Sequence, residues 1–283
     1  MPRFPIVDTH LHLWDPGRLR YPWLASVPAL NRRHLIADYR AACGPVAVGK
    51  MVFVQCDCVP AQFLAECDWV TSVAREDSRI RGIVPFAPLE RGAAVAPALE
   101  QLAANPLVKG VRRLIQSEPD LEFCLRPDFV HGVKLLPRFG FTFDLCITHR
   151  QLANTIRLVR QCPEVPFILD HIAKPDIKAG VMDPWRAELR ELAALPNVGC
   201  KLSGLATEAD HARWAAADLR PYIDHVMTCF GPDRVLFGGD WPVSTLATDY
   251  PRWVQTVDDA LAGCTPDELH RLYVRNAEKF YRV

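Results

Sequence analysis

The sequence predicts an α/β fold, a single (β/α)8 barrel of the TIM type over residues 1–283. Three observations carry that prediction. Eight short apolar, β-branched runs recur along the chain, at 6–12, 49–54, 80–86, 108–114, 141–147, 166–170, 198–202 and 235–238. Most are apolar almost throughout, as expected of strands covered on both faces. The gaps between them carry apolar residues at a period near 3.6 and leave room for one helix and two loops each. No Gly-x-Gly-x-x-Gly follows an early run, which disfavours an open doubly wound sheet.

Taken in order, the first run leads from Ile6-Val7 into Asp8-Thr9-His10-Leu11-His12. Side chains alternate along a strand, so His10 and His12 share a face. Two imidazoles there make half of a metal site or an electrophilic pair. The second run ends at Gln55 and Cys56, and the helix expected over 61–77 sets Phe63, Leu64, Cys67 and Val70 on one stripe. A helix over 93–104 follows the third run. The fourth ends at Arg112 and Arg113, which alternation sends to opposite faces, so one of them reaches the pocket. The fifth contains Asp144, with His149 just beyond it and a helix over 151–162. The sixth ends at Asp170 and His171, with Lys174 close behind. Asp183-Pro184 then reads as a capping residue and a first-turn proline, opening a helix over 184–195. The seventh run carries Lys201 and Ser203, and a helix over 214–230 ends at Gly231-Pro232. The eighth gives Phe237-Gly238-Gly239 and then Asp240. Thr265-Pro266 marks one more helix start. Two long segments, 15–31 and 114–127, follow the first and fourth runs, where barrel loops shape the pocket.

Composition narrows the class further. Lys+Arg and Asp+Glu both number 33, so the formal net charge is zero, and nothing suggests a nucleic-acid groove or a basic membrane patch. The longest apolar stretches fall short of a membrane span. No apolar leader precedes the first run. The ten cysteines include no Cys-x-x-Cys and lie mostly inside apolar runs. They read as reduced, buried thiols of a cytoplasmic enzyme.

In a barrel, catalytic groups stand at the C-terminal ends of strands. His10 and His12 from the first run, His171 from the sixth and Asp240 from the eighth therefore form a coherent set. Asp240 is placed to act as general base toward water or to ligate a metal, and His171 to ligate or to polarise a carbonyl.

Four motifs spread over the chain add a resemblance: Asp-Thr-His-Leu-His-Leu-Trp-Asp at 8–15, Leu-Asp-His-Ile-Ala-Lys-Pro at 169–175, Lys-Leu-Ser-Gly-Leu at 201–205 and Gly-Gly-Asp-Trp-Pro-Val at 238–243. Together they resemble the amidohydrolase superfamily, amidohydrolase-2 branch, and within it the L-fuconolactonase and L-rhamnono-lactonase types. The resemblance implies that Asp240 handles the proton of the attacking water. It implies that His10, His12 and His171 are catalytic and that Arg112 contacts substrate. The chain departs from binuclear members, offering Arg112 and Arg113 where a bridging ligand would stand, so two metals are not expected. His10, His12 and Asp240 could hold a single Zn²⁺, but the resemblance includes members that work without one, and no cofactor is expected to be required. Trp14, Gln55, Asp144, His149, Lys201 and Trp241 complete the expected substrate-binding set with Arg112. The expected partner is a small sugar-acid lactone, opened by Asp-activated water. A pyrone dicarboxylate would call for more cations than one inward arginine supplies. A zinc-dependent decarboxylase of the same fold is also compatible with these motifs, as is a barrel that only binds a sugar acid. Self-association through the outer surface is open.

Overall fold

A computed structural model describes residues 1–283 and places eight parallel strands around one axis. They are β1 (Ile6–Leu11), β2 (Val48–Val54), β3 (Ile80–Val84), β4 (Gly110–Val111), β5 (Thr142–Leu145), β6 (Phe167–Leu169), β7 (Val198–Leu202) and β8 (Val235–Phe237). Continuous ladders run β1-β2-β3 and β4-β5-β6-β7-β8. Two further seams join them. On the β3–β4 side, Ile83 N–H donates to Leu107 O and Lys109 N–H donates to Ile83 O. On the other side, Asp240 N–H donates to His10 O and His12 N–H to Trp241 O, both at 2.8 Å. Every neighbouring pair is thus bonded in parallel, and the sheet closes on itself, leaving no edge.

The helices lie outside the barrel, and five of them match the periodic segments: α2 (Phe63–Glu76), α3 (Ala96–Ala103), α5 (Leu152–Gln161), α6 (Trp185–Ala193) and α8 (Ala216–Phe230). Four more are not announced by the sequence pattern: α1 (Ile36–Ala42), α4 (Pro127–Leu135), α7 (Leu205–Glu208) and α9 (Tyr250–Ala260). In α4 the reason is visible. Gly132 interrupts its apolar stripe because any side chain there would meet the Leu89 carbonyl, 2.1 Å from where a Cβ would sit. The helix start at Thr265 is as expected, its side chain accepting from Glu268 N–H at 3.3 Å. The cap at Asp183 is not: α6 begins at Trp185 without a side-chain cap, and the Asp183 carboxylate pairs with Arg186 instead, at 2.7 Å.

β4 is two residues long where the sequence suggests seven. Gly110 packs against the Thr142 backbone, and Arg112 N–H still donates to Pro85 O at 2.9 Å, so the chain keeps its line after the ladder ends. β1 carries a bulge, an extra residue between Asp8 and Leu11 relative to β2. Bulges re-aim side chains at a barrel rim, and this one falls at the first histidine. All ten cysteines are free thiols, eight of them buried. No helix is long and apolar enough to cross a membrane.

Candidate active site

The C-terminal ends of the strands converge on Asp240. Its Oδ1 lies 3.5 Å from His12 Nε2, 3.9 Å from His10 Nε2 and 4.0 Å from His171 Nε2, and all four residues are buried. Two glycines make this approach feasible. A Cβ on Gly238 would stand 2.8 Å from the His10 Cβ, and one on Gly239 would stand 2.5 Å from the Asp8 carboxylate. Gly239 N–H donates to that carboxylate at 2.8 Å, and Tyr39 and Tyr250 donate to its other oxygen. Asp8 therefore anchors the turn that presents Asp240, a structural role for the first residue of the histidine motif.

Each imidazole is oriented by a partner behind it. His12 Nδ1 faces Val54 O at 2.7 Å, which only accepts, so the hydrogen is assigned to Nδ1 and the Nε2 lone pair points at Asp240. His10 Nδ1 faces the Asp170 carboxylate at 3.4 Å, and its Nε2 accepts from Arg112 Nη1 at 3.2 Å. His171 Nδ1 and Ser203 Oγ are 2.9 Å apart. Burial lowers the pKa of all three histidines, His171 to about 4, so they are neutral near pH 7. Burial alone would raise the Asp240 pKa, whereas a proton on His171, His12 or His10 would lower it below the usual carboxylate range. A carboxylate faced by the His12 Nε2 lone pair binds what supplies positive hydrogens or positive charge: a water donating two hydrogen bonds, or a metal cation. His10, His12 and Asp240 place one ligand atom each within 4.8 Å of the others, a donor set of the type zinc takes. His10, Asp170 and His171 form a second group at the same spacing, but Asp170 is already paired with Lys201 at 3.0 Å and with Arg112 at 3.4 Å.

A cavity of about 210 Å³ opens above this cluster. His12, Arg112, His171 and Asp240 form its floor, and Trp14, Trp23, Cys56, Leu114 and Gln116 are among its walls. Trp23 and Leu114 come from the two long loops, which shape the pocket as expected. Trp23 is fixed by donating Nε1–H to Cys56 O at 2.8 Å. Arg112 points inward, whereas Arg113 points out to Glu90 and Glu118, as strand alternation implies.

Several residues expected to bind substrate stand elsewhere. Asp144 and Lys201 are fully buried beneath His10. Lys201 Nζ lies 2.6 Å from Asp144 and 3.0 Å from Asp170, and Tyr281 OH donates to Asp144 at 2.8 Å. They sit at inward positions below the strand ends, so they fill the barrel interior and neutralise each other. Trp241 packs on His34 and Tyr39, and Gln55 turns its side-chain oxygen to the Asp57 amide, so neither lines the cavity. His149 lines a neighbouring cavity, with Nδ1–H donating to Lys174 O at 2.9 Å. Sequence reasoning misses Ser203, Asp170 and Asp8 as orienting groups and Asp57 and Lys174 as cavity residues. The motif Leu-Asp-His-Ile-Ala-Lys-Pro contains two of these in plain sight.

Residues 171–174 hold a backbone feature no motif announces. His171, Ile172, Ala173 and Lys174 all have positive φ, between 48° and 65°. Each L residue costs about 1–2 kcal/mol in that region, so the surroundings must impose the turn. Trp185 Nε1–H donates to Ile172 O at 2.7 Å, Lys174 N–H donates to His171 O at 2.8 Å, and Gly204 leaves the room in which the His171 ring lies.

Comparison with known proteins agrees with this architecture. Residues 7–283 match the Amidohydrolase family model of the Amidohydro_2 type, and the chain belongs to that family. An L-fucono-1,5-lactonase of Burkholderia multivorans is 33% identical over 266 residues, 89% of this chain and 87% of that protein. An L-rhamnono-gamma-lactonase of Scheffersomyces stipitis is 25% identical over 350 residues, spanning 100% of both chains. The crystal structure of a Burkholderia multivorans amidohydrolase with bound zinc superposes with a TM-score of 0.87 at 31% identity, over 99% of this chain and 100% of that one.

Proposed function

We propose that this protein hydrolyses a small sugar-acid lactone of the L-fuconolactone kind. The observation that carries the reading is the convergence of three neutral imidazoles and the ionised Asp240 on one point beneath a pocket of sugar size. The lactonase names of its relatives support it. A water bridging Asp240 and the His12 Nε2 lone pair attacks the lactone carbonyl carbon. Its proton passes to Asp240 as the new C–O bond forms. Arg112 supplies positive charge to the carbonyl oxygen, and the ring C–O bond breaks as Asp240 returns the proton to the departing ring oxygen. Asp240 is a weak base, so its contribution is to hold the water at the reacting carbon rather than to pull hard on its proton. A zinc on His10, His12 and Asp240 would polarise the same carbonyl. We take the metal as not required, because Arg112 already sets a cation 3.2 Å from His10 Nε2. The polar mixture of Asp57, Arg112 and Gln116 around the pocket suits hydroxyls, with the half-buried Trp23 offering apolar surface.

The test is a pH-indicator assay over sugar-acid 1,4- and 1,5-lactones, with and without a strong chelator. Acid release that survives chelation is the expected result. Release abolished by chelation and restored by zinc would overturn the metal-independent step. Absence of release from every lactone would overturn the lactonase reading itself.

A further inference from the structure

The left-handed turn at residues 171–174 ends on a side chain that lactone hydrolysis leaves without a role. His171 and Lys174, three residues apart, both line the catalytic cavity. Lys174 and Gln116 also line a second cavity of about 330 Å³, so the two spaces meet at these residues. The second cavity has a single hydrophobic lining residue, Leu121. Its charged groups are Lys174 and Arg150 against Glu118, Asp176 and Glu208. Glu118 is paired with Arg113 at 2.6 Å, so Lys174 and Arg150 face Asp176 and Glu208, and this balanced set of donors and acceptors suits neutral hydroxyls. The lysine is held at the junction by its backbone: its carbonyl accepts from His149 Nδ1–H at 2.9 Å and its amide donates to His171 O at 2.8 Å.

We propose that Lys174 is a specificity-determining residue that binds a hydroxylated tail carried outside the lactone ring, and that His149 is the positioning residue that holds it there. The ring lies over Asp240 and the tail enters the second cavity. This rests on the lactonase reading and narrows it to lactones bearing hydroxylated carbons beyond the ring. It also gives the strained turn a use. An ordinary right-handed turn would follow a different path from His171, and the lysine would no longer stand three residues on, at the mouth of the same cavity.

The experiment compares L-galactono-1,4-lactone, which carries a dihydroxyethyl tail, with erythrono-1,4-lactone, which has none. Lys174→Met should shift the ratio of their kcat/KM values at least about tenfold toward the tail-less lactone, the scale of one hydrogen bond to a charged group. The loss should fall mainly on KM for the tailed substrate. His149→Ala should move the ratio the same way. His149→Asn should restore it, since the Asn side-chain amide can donate to Lys174 O from about the place of Nδ1. Thermal melts establish that the variants fold. An unchanged ratio in a folded Lys174→Met, or a His149→Asn that behaves as His149→Ala, would overturn the corresponding assignment. Wild-type protein that turns over neither of these nor any other sugar-acid lactone would take down the lactonase reading, and this proposal with it. Turnover of both by wild type with an unchanged ratio in the variant takes down this proposal alone.

Discussion

Asp240 is the residue on which three strands' worth of chemistry closes. It has positive φ, it is buried, and its carboxylate meets three imidazoles within 4.0 Å. Asp240→Asn keeps the shape and removes both the charge and the proton acceptor. The expected outcome is a fall in kcat of about 10²–10⁴, the usual worth of a positioned general base. Affinity for a hydroxy-acid product, measured by calorimetry, should change much less. A barrel that merely binds a sugar acid would show no turnover to lose. If Asp240→Asn kept most of its kcat, water activation would have to move to an imidazole, His12 first, whose Nε2 lone pair faces the same point.

Among elements, the turn after β7 shows most directly how backbone geometry sets up the chemistry. Gly204 has φ +68°, and a Cβ added there would lie 2.6 Å from His171 Nδ1. Gly204→Ala should therefore push the His171 ring away from Ser203. A drop in kcat of about tenfold or more is expected, since misplacing a catalytic group by an ångström has effects up to about a hundredfold. The check is kcat together with the melting temperature: a folded variant with unchanged kcat would remove His171 from the mechanism. The same contrast explains what can be read from sequence. The strand runs, the His10–His12 pair, His171 and Asp240 are legible because barrel strands alternate and their ends carry chemistry. Asp144 and Lys201 are misplaced because residues just below a strand end also point inward. Whether such a residue reaches solvent or pairs within the barrel depends on the neighbouring strand's residue at the same height, which is a matter of register. The left-handed run at 171–174 is invisible for a different reason. It contains no glycine, and its shape is imposed by Trp185, His149 and Gly204 from other parts of the chain.

For the molecule as a whole, formal charge cancels, but buried groups do not titrate as a balanced set. Glu66 on α2 makes the point. Its carboxylate accepts from the Cys56 amide at 3.2 and 3.4 Å, so it supports the segment that brings Cys56 and Asp57 to the cavity. Burial raises its pKa to about 7, against the pull of the Cys56 amide and, more weakly, of Arg112. In the unfolded chain a glutamate titrates near 4.3. Between these values the folded protein keeps a proton that the unfolded chain has lost. Glu66 therefore contributes its full stability below about pH 4.3 and progressively loses it as pH rises through 7. Glu66→Gln keeps an oxygen for the Cys56 amide and abolishes the titration. The stability of Glu66→Gln relative to wild type should thus climb from pH 4.5 to just above 7 and then level off, gaining up to about 3 kcal/mol across the window. Other buried groups, such as Asp144 with its pKa raised to about 6 and the depressed histidines, are common to both proteins and cancel in the difference. Urea unfolding of the pair at a series of pH values measures it directly. Parallel curves would mean that Glu66 is charged in the folded protein across the whole range, its burial offset by Cys56 and Arg112. A climbing difference would mean that the wall of the catalytic cavity hangs on a carboxyl group whose proton is lost close to neutral pH.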